Sequence, residues 1–237
     1  MKRLVICSMA LMTLFSCSED KKEPEALTAE EEAFITEYEY VTFNFSPTSF
    51  GGLVNEKWIG DIPIFLDGAI TEAYIERINQ ELQLLNDHMT DGSMLRLVNS
   101  VEASKIHLFL GNEDEIAGLW PDMYTLVSGG QFQGYALYNA GAGQILQGRI
   151  WVKNSGRPIF RHELGHILGF GHASDDYCNN SGSQERSYMC SSLAEDYSNF
   201  DAAMIQMLYH PEVLPGLTFE ALRPTVEALL RSGEIQL

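Results

Sequence analysis

Apolar positions recur with two different periods along the chain, and the switches between them predict its elements. In TEAYIERINQELQLLNDHM (71–89), Ile75, Ile78, Leu82, Leu85 and Met89 share one helical face, so an amphipathic helix is expected there. WIGDIPIFLD (58–67), LRLVNS (95–100) and KIHLFLG (105–111) read as strands. So do GYALYNA (134–140) and QGRIWVKN (147–154), with a glycine-rich turn between them. Helical spacing returns in RPIFRHELGHILGF (157–170), through Ile159, Phe160, Leu164, Ile167 and Leu168, with Pro158 near the start where a missing N–H is harmless. SDDYCNNSGSQERS (174–187) is polar and reads as loop. SNFDAAMIQMLYH (198–210) carries a capping box, Ser198 and Asp201, and stops before Pro211. RPTVEALLRSGE (223–234) predicts a last helix, with Pro224 early in it.

The N-terminus does not fit this globular pattern. Lys2 and Arg3 precede an apolar run over 4–15 that is too short to span a bilayer comfortably, as in a secretory signal. Leu14-Phe15-Ser16-Cys17 resembles a bacterial lipobox, which implies a signal peptide over 1–16 and a lipid on Cys17. Ser18-Glu19-Asp20 resembles the acidic export tag of some surface lipoproteins. The expected location is therefore the outer membrane, exposed at the cell surface. Residues 17–33 are charged and apolar-poor and read as a tether, with a short helix beginning near Thr28. The domain proper is expected over 34–237.

Charge narrows the partners. With Lys2 and Arg3 gone, 13 basic groups face 33 acidic ones, a formal −20. Such a surface repels nucleic acid and anionic headgroups. Any membrane contact is expected through the lipid alone, and the protein is expected to be a monomer. Cys7 leaves with the leader and Cys17 is lipidated, so Cys178 and Cys190 remain in an oxidising compartment. A disulfide between them is expected, the alternative being two free thiols.

The chemistry concentrates in HELGHILGFGH (162–172), which holds three of the six histidines. His162 and His166 lie four apart, one turn above the other on one helix face. Gly169 tolerates the left-handed conformation that ends a helix, so the chain can turn back and bring His172 beneath. Three protein ligands and an open position are the arrangement of catalytic zinc, which lowers the pKa of a bound water to about 7. Glu163 projects beside that site, placed to take a proton.

Residues 162–172 match the H-E-x-x-H-x-x-G-x-x-H signature of the metzincin metallopeptidases, which this chain resembles. The resemblance implies one Zn(2+) per chain on His162, His166 and His172, with Glu163 as general base and acid. It also implies a Met-turn. Met189 in RSYMCSS (186–192) is the candidate, ahead of Met204 and Met207, which lie in an expected helix. Some members carry a tyrosine two residues later; here that position is Ser191, so no tyrosine helper is expected. The implied fold is α+β: a twisted, mostly parallel sheet with an antiparallel edge strand, a long backing helix, the active-site helix, and a smaller helical C-terminal lobe from about 173. The family's edge strand pairs with extended substrate, and by order that strand is Gly134, Tyr135, Ala136, Leu137 and Tyr138. Its alternative is an ordinary edge strand.

The expected function is zinc-dependent peptide-bond hydrolysis by an endopeptidase. Two rivals differ in class. One is a surface lipoprotein that binds a protein or glycan on an inert scaffold with structural zinc, against which Glu163 argues. The other is a hydrolase of non-peptide amides. Residues 18–57 could serve as an inhibitory segment. His88, His107 and His210 are expected to be structural, and Trp58, Trp120 and Trp151 to line the core or cleft.

Overall fold

The fold was analysed in a computed structural model, which describes residues 26–43, 54–179, 186–191, 194 and 196–237. The expected leader, Cys17 and most of the expected tether lie outside the described residues. Among those described, no helix is long and apolar enough to cross a membrane.

The fold is α+β. Strands β1 (Asp61–Gly68), β2 (Met94–Val98), β3 (Ile106–Leu110), β4 (Gly134–Gly141) and β5 (Gln144–Val152) form one sheet in the order β2-β1-β3-β5-β4. Every pairing is parallel except β4 with β5. The mostly parallel sheet with an antiparallel edge strand is thus as expected. The β4–β5 hairpin turns at Ala142 and Gly143, both with positive φ, as a two-residue primed turn requires.

One sheet face packs on α2 (Glu72–His88) and α5 (Arg157–Ile167), burying Ile62, Ile64, Ile106, Leu108 and Ile150 in the main core. Thr71 caps α2 by accepting from the Tyr74 N–H. Its buried face is Tyr74, Ile78, Glu81, Leu82 and Leu85. Ile75, expected on that face, is 37% exposed. The face is instead rotated toward Glu81, whose carboxylate is matched by Arg161 and Arg157 of α5 at 2.7 and 2.6 Å.

The other sheet face is covered by α3 (Glu113–Leu119) and α4 (Pro121–Val127), whose periodicity is too short to stand out in the sequence. Ile116, Met123 and Val127 close over Trp151 there, and Trp120 lies against His107 and Phe109. Trp58, Trp120 and Trp151 are all buried.

The remaining helices are α1 (Ala29–Phe43), α6 (Asp175–Asn179), α7 (Asn199–Leu208) and α8 (Phe219–Ser232). Helix α6 lies in the stretch expected to be loop. Helix α8 starts ahead of the expected Arg223, capped by Thr218, and carries Pro224 within it. Helix α1 begins at Ala29, so the expected tether ends before residue 33. Thr28 and Glu31 exchange backbone-to-side-chain bonds at its start. Its buried Phe34 and Phe43 pack on Phe200 and Phe219 of the C-terminal helices. Helix α1 thus packs against the C-terminal helices.

Candidate metal centre

Helix α5 presents His162 and His166 on one face, and its end is built to bring His172 back to them. The Phe170 N–H bonds the Gly165 carbonyl and the Gly169 N–H bonds the His166 carbonyl, a Schellman ending. Gly169 has φ +102°, and a Cβ there would lie 2.2 Å from the Glu56 carbonyl oxygen, so only glycine fits. The last carbonyls of the helix are also satisfied: Trp58 Nε1 donates to Ile167 O at 2.7 Å, and the Tyr209 hydroxyl to Leu168 O at 3.0 Å.

His162, His166 and His172 converge with their ligand atoms all within 4.8 Å of one another. Nδ1 of His162 lies 2.9 Å from the Tyr188 carbonyl and Nδ1 of His166 lies 2.9 Å from the Phe170 carbonyl. A carbonyl only accepts, so each Nδ1 carries the proton and each Nε2 keeps its lone pair. Yet Nε2 of His162 stands 3.2 Å from Nε2 of His166 and 3.2 Å from Nε2 of His172. Two facing lone pairs at that distance repel unless a cation lies between them. Tetrahedral zinc with nitrogens at about 2.0–2.1 Å would set its ligands about 3.4 Å apart. The donor set therefore fits a metal ion, as the sequence led one to expect. Burial pulls the His162 pKa down to about 4, and it lowers His166 and His172 as well, which keeps all three ready as neutral ligands.

Glu163 is nearly buried, and burial pushes its carboxyl up to about 8. Its side chain lies against the start of β4, where a Cβ on Gly134 would come within 2.8 Å of Glu163 Cγ and Oε1. The general-base candidate and the edge-strand candidate are thus brought together. Among the described residues, strand β4 is bonded to β5 on one side only. Lys153 N–H donates to Gln133 O, which sets the alternation of the ladder. Gly134, Ala136 and Tyr138 accordingly turn their backbone N–H and C=O to the open edge. Tyr135 and Leu137 pack instead toward the outer-face cluster.

Met189 sits in a tight turn closed by the Cys190 N–H to Ser187 O bond. Its Sδ would be 2.3 Å from a Cβ on Gly165, so the thioether rests directly on α5 between the first two histidines. The rivals Met204 and Met207 are core residues of α7. Cys178 and Cys190 form the expected disulfide, joining the segment after His172 to this turn.

Four supports of the site were not legible as such in the sequence. Asp201 of α7, expected only as a helix cap, also accepts from the Ser187 hydroxyl at 2.5 Å and the Tyr188 N–H at 3.2 Å, which fixes the turn. The Tyr188 and Phe170 carbonyls act through backbone and could not be read from side-chain identity. Glu37 of α1 bonds Ser174 twice, across a separation of 137 residues. Of the other histidines, His107 meets Asp67 at 3.0 Å, His88 meets Gln206, and His210 meets Glu234, all away from this cluster.

No family model matches the chain, and no curated protein matches it.

Proposed function

We propose that this chain is a zinc-dependent endopeptidase of the metzincin type, carried on an exported lipoprotein. The observation that carries the reading is the convergence of three histidine Nε2 atoms beside a buried glutamate that abuts an open strand edge. His162, His166 and His172 hold the ion. Bound there, zinc would supply a Lewis acid that acidifies water and polarises a carbonyl.

The protein's own groups do the rest. Glu163 accepts the proton of the attacking water and hands it to the leaving amine. Burial raises its carboxyl to about 8 in the metal-free site, and a zinc ion beside it would draw that value back down toward the ionised base. Gly134 and Ala136 offer backbone hydrogen bonds to an extended substrate, which binds as an added strand without a demand on its sequence. Met189 supports α5 and takes no part in proton transfer. The disulfide and the lipobox-like leader both favour an oxidising, exported setting.

The test is cleavage of a mixed peptide library by the purified protein beside Glu163→Ala. Cleavage is expected only with about one zinc per chain, stopped by chelation. The variant should keep its zinc and lose turnover by about 10² or more. A zinc-loaded, folded wild type that cleaves nothing would refute the peptidase reading.

A further inference from the structure

The segment that carries His172 is gripped from both sides by helix α1. The Gly171 N–H donates to the Val41 carbonyl at 2.7 Å. Just past the histidine, the Ser174 N–H and hydroxyl both donate to the buried carboxylate of Glu37, each at 2.7 Å. Ser174 then caps the short α6: its hydroxyl accepts from Tyr177 N–H and its carbonyl from Cys178 N–H. The third ligand therefore hangs between two bonds to α1, on a stretch that α5 itself does not hold.

His162 and His166 have α5 and the carbonyls of Tyr188 and Phe170 to orient them. His172 is the exposed member of the three. An exposed ligand on a non-helical stretch costs conformational entropy to order at each binding event unless its backbone is fixed beforehand.

We propose that Glu37 is a positioning residue for the metal site, and that α1 is an integral wall of that site rather than a removable inhibitory segment. This rests on the metal-site reading above. Glu37 acts by fixing Ser174, and so the placement of His172.

The experiment measures zinc affinity of the full chain, stripped and then titrated against a chromogenic chelator. Glu37→Ala is expected to weaken zinc about 10- to 100-fold, as loss of an outer support typically does. Glu37→Gln should recover most of this, because its amide oxygen can accept from the Ser174 N–H and its amide NH₂ can donate to the hydroxyl. Phe34→Leu trims a buried α1 side chain that packs on Phe200 and takes part in neither bond. It should lower Tm while leaving zinc affinity unchanged. Cobalt loaded in place of zinc reads the coordination directly: Glu37→Ala should shift its visible spectrum toward that of His172→Ala. If Glu37→Ala does not fold, Ser174→Ala replaces it and should weaken zinc several-fold.

Wild-type affinity and an unchanged cobalt spectrum in the folded variant would overturn the proposal while leaving the metal site intact. Failure of the wild type to bind zinc at all would overturn both.

Discussion

Gly134→Ala tests the juncture of Glu163 with the edge strand most directly. The new methyl would stand 2.8 Å from Glu163 Cγ, 2.8 Å from Glu163 Oε1 and 2.8 Å from Ile159 Cγ2. Ordinary carbon contacts lie at about 3.5–4.0 Å, so something must retreat by roughly 0.7 Å or more. Strand β4 is held to β5 along its length, and α5 is braced at Glu81, so the side chains yield first. Overpacking of this kind costs about 1–3 kcal/mol. At roughly 2–4 °C per kcal/mol for a chain of this size, Tm should fall by about 2–12 °C. The catalytic effect is larger in proportion, since misplacing a reacting group by about 1 Å costs on the order of 10²-fold. A kcat reduced about 10- to 100-fold, with zinc content unchanged, is the expected result. The three histidines are not among the atoms displaced, so loss of zinc would refute the reasoning, as would wild-type turnover. The double variant Gly134→Ala/Ile159→Ala removes the aliphatic clash and leaves the carboxylate one. If it regains full turnover, Ile159 rather than Glu163 carries the effect.

Other consequences can be measured on the metal-stripped protein or by metal titration. Replacing Cys178 and Cys190 together by alanine opens a loop spanning a sequence separation of 12. In the chain-entropy account this costs about 3 kcal/mol, read by urea unfolding; a loss under about 1 kcal/mol would contradict it. Gly169→Ala forces a side chain to φ +102° and into the Glu56 carbonyl. It should cost about 1–3 kcal/mol or more and weaken zinc together with stability; a stable variant with intact affinity would show the turn is not needed. Glu163 gives a pH signature. Its folded carboxyl is raised to about 8 from an ordinary 4.5 by burial, so the folded state holds that proton longer than the unfolded one. Its stabilising contribution is complete below about 4.5 and is lost as pH rises toward 8. Stripped wild type should therefore lose stability relative to Glu163→Gln across that window, and a gap that stays constant with pH would contradict the assignment.

The candidate site residues were legible because they are local. His162, Glu163 and His166 are fixed by helical period, and Gly169 announces the reversal that returns His172. The strands and α2 were legible for the same reason, each having enough residues to show its period. Helices α3 and α4 were not, since each is a turn or two long and is held by Trp120 and Trp151 across the sheet rather than by its own pattern. The face of α2 was misjudged at Ile75 because binary patterning scores Glu81 as polar and therefore outward. In the structure Glu81 is buried, and burial by itself would raise its carboxyl; the bonds from Arg161 and Arg157 outweigh that and hold it below the usual carboxylate range.

That misjudgement and the silence of Glu37 have one physical origin. A carboxylate enters a protein interior only when distant donors meet it, and nothing in the surrounding sequence records a partner such as Arg161 or Ser174. Asp201 behaves alike, accepting from Ser187, Tyr188 and Ser198 at once while burial raises its pKa. Each of the three acids fastens a different piece around α5: Glu81 holds the helix itself, Asp201 the Met189 turn, Glu37 the segment bearing His172. A motif can name the atoms that would bind a metal. The bonds that hold those atoms in place come from buried acids on α1, α2 and α7, which only the folded chain brings to the site.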